Sequence, residues 1–547
     1  MTYKKKKINR FWNHNKNSID KNKLKNDLKN YQYILNQIKQ VVDFQDALNN
    51  PLESQKRILK KIIKKNKDTE YGIKNNFKYI KNIEDYQKYV PIIKYKDISN
   101  EIERLKNGEQ NILTKDKVVY FASTSGTTNK VKLVPVTKNR IKNYNKEIAL
   151  WAIYVLKDYK QVASGKTLFF AGPYFEGKTK GNIPYGSISG YLPYKSPWWL
   201  KRKITPKPRT FNEFNFNKKI KKIAIQALQE NITQIGFTAP IEAILFFDYI
   251  KENKDKLIKI ISKINVKKAQ QLKELKSFKP IDIWPNISLV NCFRSKTNEM
   301  YIDKFLEKLG KKVEVRDPGI NASEGRITIG IGKDGISGPP PLNTTFYEFI
   351  DITKKNKTPV TIDKLKINKK YKVIITTQEG LYRYNMEDIV KVTGFMKKIP
   401  LLKFESRDSF LNIAGELASE EELIKIHKKT FKELKMKIDN FTVIPYYDTS
   451  KKPRYEILLD SKDEIDSKKI KEFQEKIDDN LQIEINDYMQ MRNEFGRMDK
   501  PVISILKKNS YDKFNKKRVV GSGNPKPINI NSDSKFRNNF EIEKTYL

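Results

Sequence analysis

The feature that most restricts this fold is a change of pattern at residues 404–415, FESRDSFLNIAG, a charged stretch poor in strand signal. Before it, short apolar runs of strand type are interspersed with helical periodicity. After it the pattern tightens. A helical repeat over 418–434 leads into strand-like FTVIPYYD (441–448) and RYEILLD (454–460). A long amphipathic helix over 468–490 and a strand at VISILKK (502–508) follow. At 547 residues the chain exceeds one ordinary core. We therefore expect a basic leader (1–40), a large N-terminal domain (41–404), a hinge (405–416) and a small C-terminal domain (417–547). The fold class is α/β: β-sheets packed by helices in the large domain, and a small α+β domain at the end.

Within the large domain, residues 51–65 carry apolar side chains at helical spacing. VVYFAS (118–123) and KLVPVT (132–137) read as strands around a polar loop, and KTLFFAG (166–172) as a buried strand. Residues 232–253 read as a strand end, a turn at Pro240 and a helix. ISLVNCF (287–293), KVEVRDPG (312–319) and RITIGIG (326–332) read as short strands, and 372–384 as a hairpin.

Composition narrows the chemistry. One cysteine, Cys292, excludes an intramolecular disulfide and multi-cysteine zinc sites. Two histidines, His14 and His427, leave little for Ser-His-Asp or Cys-His schemes. Chemistry must come from carboxylates, Lys and Arg, hydroxyls and a bound cofactor. The formal charge of +45, from 109 basic and 64 acidic residues, suggests a nucleic-acid partner. However, Lys is spread along the whole chain beside abundant Asn, Ile, Tyr and Phe, and Arg is scarce. Compositional drift is the better account. No apolar run approaches the ~18 residues that span a bilayer. The basic N-terminus has no apolar core behind it, so no secretory signal is expected and a cytoplasmic location fits.

Two glycine motifs are decoys. Gly165-Lys166-Thr167 lacks the earlier glycine of a phosphate loop and leads into a strand. Gly330, Gly332 and Gly335 precede ISGPPPLN, which cannot open a helix, so a turn is expected. Other segments carry more. Ser123 to Lys130 is a run of hydroxyls around Gly126 between two strands, suited to anionic oxygens, with Lys132 beyond it. Asn321-Ala322-Ser323-Glu324-Gly325 sets one carboxylate among small residues, a setting for Mg²⁺ near phosphates. Gly380-Leu381-Tyr382-Arg383-Tyr384 precedes Asp388, which has the chemistry to accept two ribose hydroxyls. Glu405 to Glu416 suits a hinge or a plain linker. Each alone reads equally well as a solvated loop or turn.

Their order is far more specific. The chain resembles the plant auxin-responsive acyl acid amido synthetases and their microbial relatives, within the adenylate-forming enzymes. The resemblance runs from QDALNNPLESQKRILKKIIKKNKDTEYG through TSGTTNKVKLVPVT, IDIWPNISLVNCF, INASEG and GLYRYNMEDIVKVTGF to GSGNPKPIN. It covers about nine-tenths of the chain.

The resemblance implies an ATP- and Mg²⁺-dependent ligase with a large N-terminal adenylation domain. Such an enzyme activates a carboxylic acid as its acyl-adenylate and passes the acyl group to an amine, an amino acid by preference, to form an amide. Thr124, Ser125, Gly126, Thr127 and Thr128 would embrace the phosphates. Asn321, Ala322 and Ser323 would line the nucleotide, Glu324 would hold Mg²⁺, and Asp388 would bind the ribose. Arg407 matches a hinge arginine, and Lys526 a lysine that reaches the reacting carboxylate. The chain departs from the family at Asn129/Lys130 and at Glu387, where the family has glycine, and after Lys526, where Pro-Arg is missing. Helix 240–250, with Phe246 and Phe247, and strand 287–293 are candidates for the acyl pocket and equally for plain core. Two rival functions stand beside this one. The first is an adenylating ligase that forms a coenzyme A thioester. The second is a basic nucleic-acid-binding protein on a degenerate scaffold.

Overall fold

The computed structural model describes residues 41–124, 132–238, 240–294, 296–354, 358–407, 410–416, 418–448, 451–461, 463–508, 510–511, 513–514 and 528–547. The basic leader lies outside them.

Runs that are apolar on both faces form a parallel sheet. Every residue of Ile232–Phe237 and Leu289–Cys292 is buried, as expected for strands covered by helices on either side. The sheet has five strands, in the order Ile204–Thr205, Lys166–Phe169, Ile232–Phe237, Leu289–Cys292, Glu314–Arg316, and every pairing is parallel. Helices Phe216–Ala227, Pro240–Glu252 and Lys296–Leu309 supply crossovers. Phe246, Phe247, Trp284 and Phe305 fill the core they make with the sheet. The Trp284 indole donates to the Ala227 carbonyl at 3.0 Å, so the ring is buried without an orphan donor. Gly165-Lys166-Thr167 does open a strand, with Lys166 paired to Glu230 at 2.6 Å.

Two further sheets complete the large part. Lys132–Thr137, Val118–Thr124, Pro184–Ser187 and Gly177–Lys178 form one, with Val118–Thr124 antiparallel to the first and parallel to the third. Phe346–Asp351, Lys370–Thr376, Tyr384–Met396 and Ile399–Arg407 form an antiparallel meander. Helix Pro51–Asn66 lays Ile58, Leu59, Ile62 and Ile63 into the core under the meander. Gln55 fixes its register. The amide nitrogen donates to the Leu342 and Thr345 carbonyls at 3.0 and 2.9 Å, and the amide oxygen accepts from the Tyr347 N–H at 2.7 Å.

The C-terminal sheet runs Asn440–Tyr446, Arg454–Asp460, Val502–Leu506, Ile542–Tyr546. Helices Glu420–Glu433 and Ser467–Glu484 pack together on it. Ser419 and Glu422 close a capping box at the start of the first helix.

The structure corrects two expectations. RITIGIG (326–332) is buried but pairs as no strand. Ile327 and Ile329 donate instead to the Ile320 and Pro339 carbonyls, and Gly330 to that of Pro318. Glycine at 330 lets this backbone press against the Asp317 carbonyl, where a Cβ would sit at 1.8 Å. The long helix expected to reach residue 490 ends at Glu484, and a short helix and a π-turn at Gln490–Glu494 follow. Asp478 draws this segment back, accepting from Tyr488 Oη at 2.6 Å and from Arg492 at 3.0 and 2.7 Å.

His427 sits inside the C-terminal core. Its Nδ1 lies 2.6 Å from the Leu423 carbonyl and its ring stacks on Phe441 at 4.7 Å. Burial pushes its pKa down to about 4, from an ordinary value of about 6.5. Between those values the unfolded chain takes up a proton that the folded chain refuses, so stability falls as pH drops through that window. His427→Phe removes this term. Urea unfolding at pH 7 and pH 5 should show wild type losing about 2 kcal/mol more than the variant; equal losses would contradict it.

Candidate functional site

In open parallel sheets, ligand-facing groups gather beyond the carboxyl ends of the strands. Here Asp317 follows the last residue of Glu314–Arg316, and the turn 321–326 comes soon after. The route between them is pinned. The Asp317 carboxylate accepts from the Arg294 and Gly319 N–H groups at 2.8 and 2.7 Å. Burial pushes its pKa up to about 6 against those bonds.

The turn closes by a bridge between Asn321 and Arg326 and by the Ala322 N–H donating to the Gly325 carbonyl at 3.0 Å. Asn321 is exposed; Ala322, Ser323 and Glu324 are half-buried. Among the described residues, the side chains of Asn321, Ser323 and Glu324 make no hydrogen bond or ion pair. The Glu324 charge is close enough to Tyr95 to act on its phenol.

Tyr95 also holds the strand at the stem of the Ser/Thr loop. Its hydroxyl accepts from the Leu133 N–H at 3.0 Å, and Lys132 Nζ stands 5.6 Å over its ring. Lys132 is the register partner of Thr124, so the two face each other across the stem of the loop. Ser125, Gly126, Thr127 and Thr128 lie outside the described residues, as does the side chain of Thr124. Ser123 donates to Glu176, whose pKa burial raises.

Asp388 sits at a bulge. Along Tyr384–Met396, the pairing with Lys370–Thr376 jumps from Asn385↔Ile374 to Ile389↔Lys372, leaving extra residues on the longer strand. Bulges of this kind re-aim side chains beside functional sites. Glu387 holds the bulge with φ of 60°, in the left-handed region that glycine favours. The Asn385 side chain accepts from its N–H at 2.9 Å, and Lys94 pairs with its carboxylate at 2.5 Å. The added negative charge is therefore turned toward Lys94. Asp388 is buried, opposite Arg407 in the next strand. Only the backbone of Arg407 is described, and Lys526 lies outside the described residues.

Two groups were not legible as motifs. Arg383 is a buried clamp: its guanidinium donates to both oxygens of Glu348 at 2.9 Å and to the Gln87 and Val90 carbonyls at 3.0 and 2.8 Å. A second group joins the large part to the C-terminal part. Arg497 pairs with Glu242, and Phe495 receives Lys219 Nζ at 5.7 Å. These residues, with Phe170, Ala171, Ile220 and Ile223, line a small cleft. Burial pushes the Lys219 ammonium down to about 8 and the Arg497 guanidinium down to about 9. No sequence spacing links 219, 242 and 497; only the fold does. Phe246 and Phe247 are packed in the core of the parallel sheet, 0% and 3% exposed.

No group of three or more His, Cys, Asp or Glu side chains is arranged to hold a metal among the described residues. One half-buried carboxylate at the turn suits Mg²⁺, which is commonly held by one or two carboxylates together with phosphates.

Three family models match the chain: the GH3 family N-terminal domain over residues 40–315, the central domain over 340–407 and the C-terminal domain over 421–527. Indole-3-acetic acid-amido synthetase GH3.2 of Arabidopsis thaliana is 22% identical over 447 residues, 71% of this chain and 80% of that protein. Jasmonoyl–L-amino acid synthetase JAR6 of Nicotiana attenuata is 22% identical over 459 residues, 74% of this chain and 75% of that protein. Among solved structures, AtGH3.15 acyl acid amido synthetase in complex with 2,4-DB has the same fold. Its TM-score is 0.62 at 18% identity, covering 93% of this chain and 97% of that chain.

The Glu387 backbone yields a test. A β-branched side chain is poorly tolerated at positive φ, whereas glycine is at ease there. Glu387→Val should destabilise the protein by about 1–2 kcal/mol, and Glu387→Gly should stay within about 1 kcal/mol of wild type in urea unfolding. Equal stability of the two variants would show that the turn is not left-handed.

Proposed function

The chain belongs to the GH3 family of amide-forming, adenylate-forming ligases, and we propose that it uses ATP and that its own residues carry the reaction as follows. The observation that carries the proposal is the turn 321–326. It presents a half-buried carboxylate with no ion-pair partner among the described residues, beyond the carboxyl ends of the parallel sheet.

In this reading, Glu324 holds Mg²⁺ on the ATP phosphates, and Asn321, Ala322 and Ser323 line the nucleotide. Thr124, Ser125, Gly126, Thr127 and Thr128 wrap the phosphates, with Lys132 at the loop's stem. Asp388 accepts the ribose hydroxyls, and its position at a bulge supports this role. Bound Mg²⁺ supplies charge neutralisation at the phosphates. The protein's part is to fix donors and carboxylates where charge grows as the substrate carboxylate attacks the α-phosphorus. Lys526 meets that carboxylate. No histidine is needed, which agrees with a chain whose described histidine is core.

We assign the large domain to 41–404, the hinge to 405–416 with Arg407 in it, and the small domain to 417–547. Glu416 supports a defined pivot: its carboxylate accepts from the Ile413 and Ala414 N–H groups at 2.8 and 2.7 Å and from Tyr455 Oη at 3.1 Å. The substrates are a carboxylic acid and an amine, an amino acid by preference. The named relatives conjugate indole-3-acetic acid or jasmonate, so an apolar acid of that size is the first choice. A single, buried cysteine suits a cytoplasmic setting. No described helix is long and apolar enough to cross a membrane.

The test is acid-dependent ATP–pyrophosphate exchange over a panel of acids, followed by product analysis with amino acids or coenzyme A. Amide and AMP are expected; thioester alone refutes the amide reading. Salt-sensitive RNA binding without exchange would favour the nucleic-acid alternative. Glu324→Ala and Asp388→Ala should each lower exchange by about 100-fold while the circular dichroism spectrum is kept. Unchanged exchange in both sinks the site assignment.

A further inference from the structure

Arg140, Glu147, Arg326 and Glu379 form a cluster of buried charges, each between 2% and 4% exposed. Two cations stand with two carboxylates, the charge of Arg326 also acts on the buried Asp317, and the four members come from three separate elements. Arg140 and Glu147 stand on helix Lys138–Asp158, which starts where strand Lys132–Thr137 ends. That strand forms one side of the Ser/Thr loop. Arg326 closes the turn that carries Glu324. Glu379 sits in the hairpin where the Thr377 N–H donates to the Leu381 carbonyl, on the way to Asp388.

Arg326 touches most of these parts. Its Nη1 donates to the Pro318 carbonyl at 3.0 Å and to that of Thr328 at 3.4 Å, on both sides of the turn. Its own carbonyl accepts from Tyr347 Oη at 2.6 Å. Its Nε lies 3.5 Å from Glu147 Oε2, and Arg140 Nη1 lies 3.6 Å from the same oxygen. Glu147 Oε1 accepts from Thr344 Oγ1 at 2.8 Å. Arg140 also acts on Glu379, opposing the upward push of burial on that carboxyl. Arg140 Nε and Nη2, Arg326 Nε, Glu147 Oε2 and Glu379 Oε1 all lack a hydrogen-bond partner among the described residues.

Plain stability does not explain this arrangement. Buried ion sets are often no better than apolar side chains of similar volume, and half-satisfied ones are worse. Such groups can specify one relative placement of the elements they join, and here one of those elements carries Glu324 while the other two adjoin the strands that lead to the Ser/Thr loop and to Asp388. We infer that Arg326 and Glu147 are positioning residues, which set the Glu324 turn against helix Lys138–Asp158 and the strand Lys132–Thr137 that precedes it, for the adenylation step. The inference rests on the nucleotide reading above.

The experiment compares Arg326→Met, the double variant Glu147→Met/Arg326→Met, Arg326→Lys and Glu324→Ala by thermal unfolding and by exchange kinetics in MgATP. Removing both members of the pair leaves Arg140 and Glu379 balanced. The double variant should therefore unfold within a few degrees of wild type. Its KM for MgATP should nonetheless stay raised, on the order of 10- to 100-fold, because the turn has lost its reference point. Arg326→Lys, which keeps the charge but not the fork, should also fold with a raised KM; it decides the matter if the double variant fails to fold. A wild-type KM in either folded variant, while Glu324→Ala abolishes exchange, overturns the inference and leaves the site reading intact. Exchange insensitive to Glu324→Ala overturns the site reading, and the inference with it.

Discussion

The buried ion pair between Arg383 and Glu348 organises the side of this molecule that carries Asp388 and the stem of the Ser/Thr loop. A guanidinium fork matches a carboxylate in two parallel bonds, and its remaining donors must also be met when water is absent. In this chain they are met by the Gln87 and Val90 carbonyls, and Gln87 donates its own side-chain amide to Glu348 at 2.9 Å. One side chain thus fastens the segment around 83–93 to the meander. The same backbone continues the link. Ile93 donates to the Arg383 carbonyl at 3.1 Å and accepts from the Asn385 N–H at 2.8 Å. Two residues further on is Tyr95, which holds the stem of the Ser/Thr loop, and three residues beyond Asn385 is Asp388. Losing one partner would strand a charge in the core, so the clamp has no cheap alternative geometry.

That clamp explains how irregular backbone is tolerated beside it. Arg383 has φ of 46°, Glu387 of 60° and Gly380 of 103°. At Gly380 the constraint is double, since a Cβ there would lie 2.6 Å from that of Leu113. Strained turns persist where surrounding contacts over-determine them. The Arg383 bonds, the Tyr382 hydroxyl on the Leu113 carbonyl at 2.7 Å and the Lys94–Glu387 pair do so here. The bulge before Asp388 can then hold a left-handed residue that is not glycine.

Periodicity exposed what local sequence controls. The strands at 118–124, 132–137 and 454–460 and the helix opening at Pro51 stand where their apolar patterns put them. RITIGIG misled because its alternation looks like a strand, whereas its glycines let it thread past Asp317 and bond irregularly. The GLYRY run could be read for ribose chemistry only through its neighbour Asp388. Arg383 itself looked like exposed charge, because its partner Glu348 lies far off in sequence and nothing at short range marks the pair. Arg140, Glu147, Arg326 and Glu379 were hidden for the same reason. A buried charge announces itself by its partners, and here the partners are set by tertiary structure.

Beyond a few placed side chains, Lys94, Lys132 and Lys219, the large surplus of lysine has little part in this. Among the described ion pairs, those made by lysine are exposed or half-exposed, such as Lys56–Glu53 and Lys500–Glu475, and such pairs contribute about 0–1 kcal/mol each. The enclosed pairs, Arg383–Glu348, Arg326–Glu147, Arg492–Asp478 and Arg497–Glu242, are made by arginine. A delocalised fork is the cation best suited to leave water with its donors satisfied. The two basic residues therefore divide along physical lines. Most lysine accumulates on the surface, and the enclosed ion pairs that fix the interior fall to the scarce arginines.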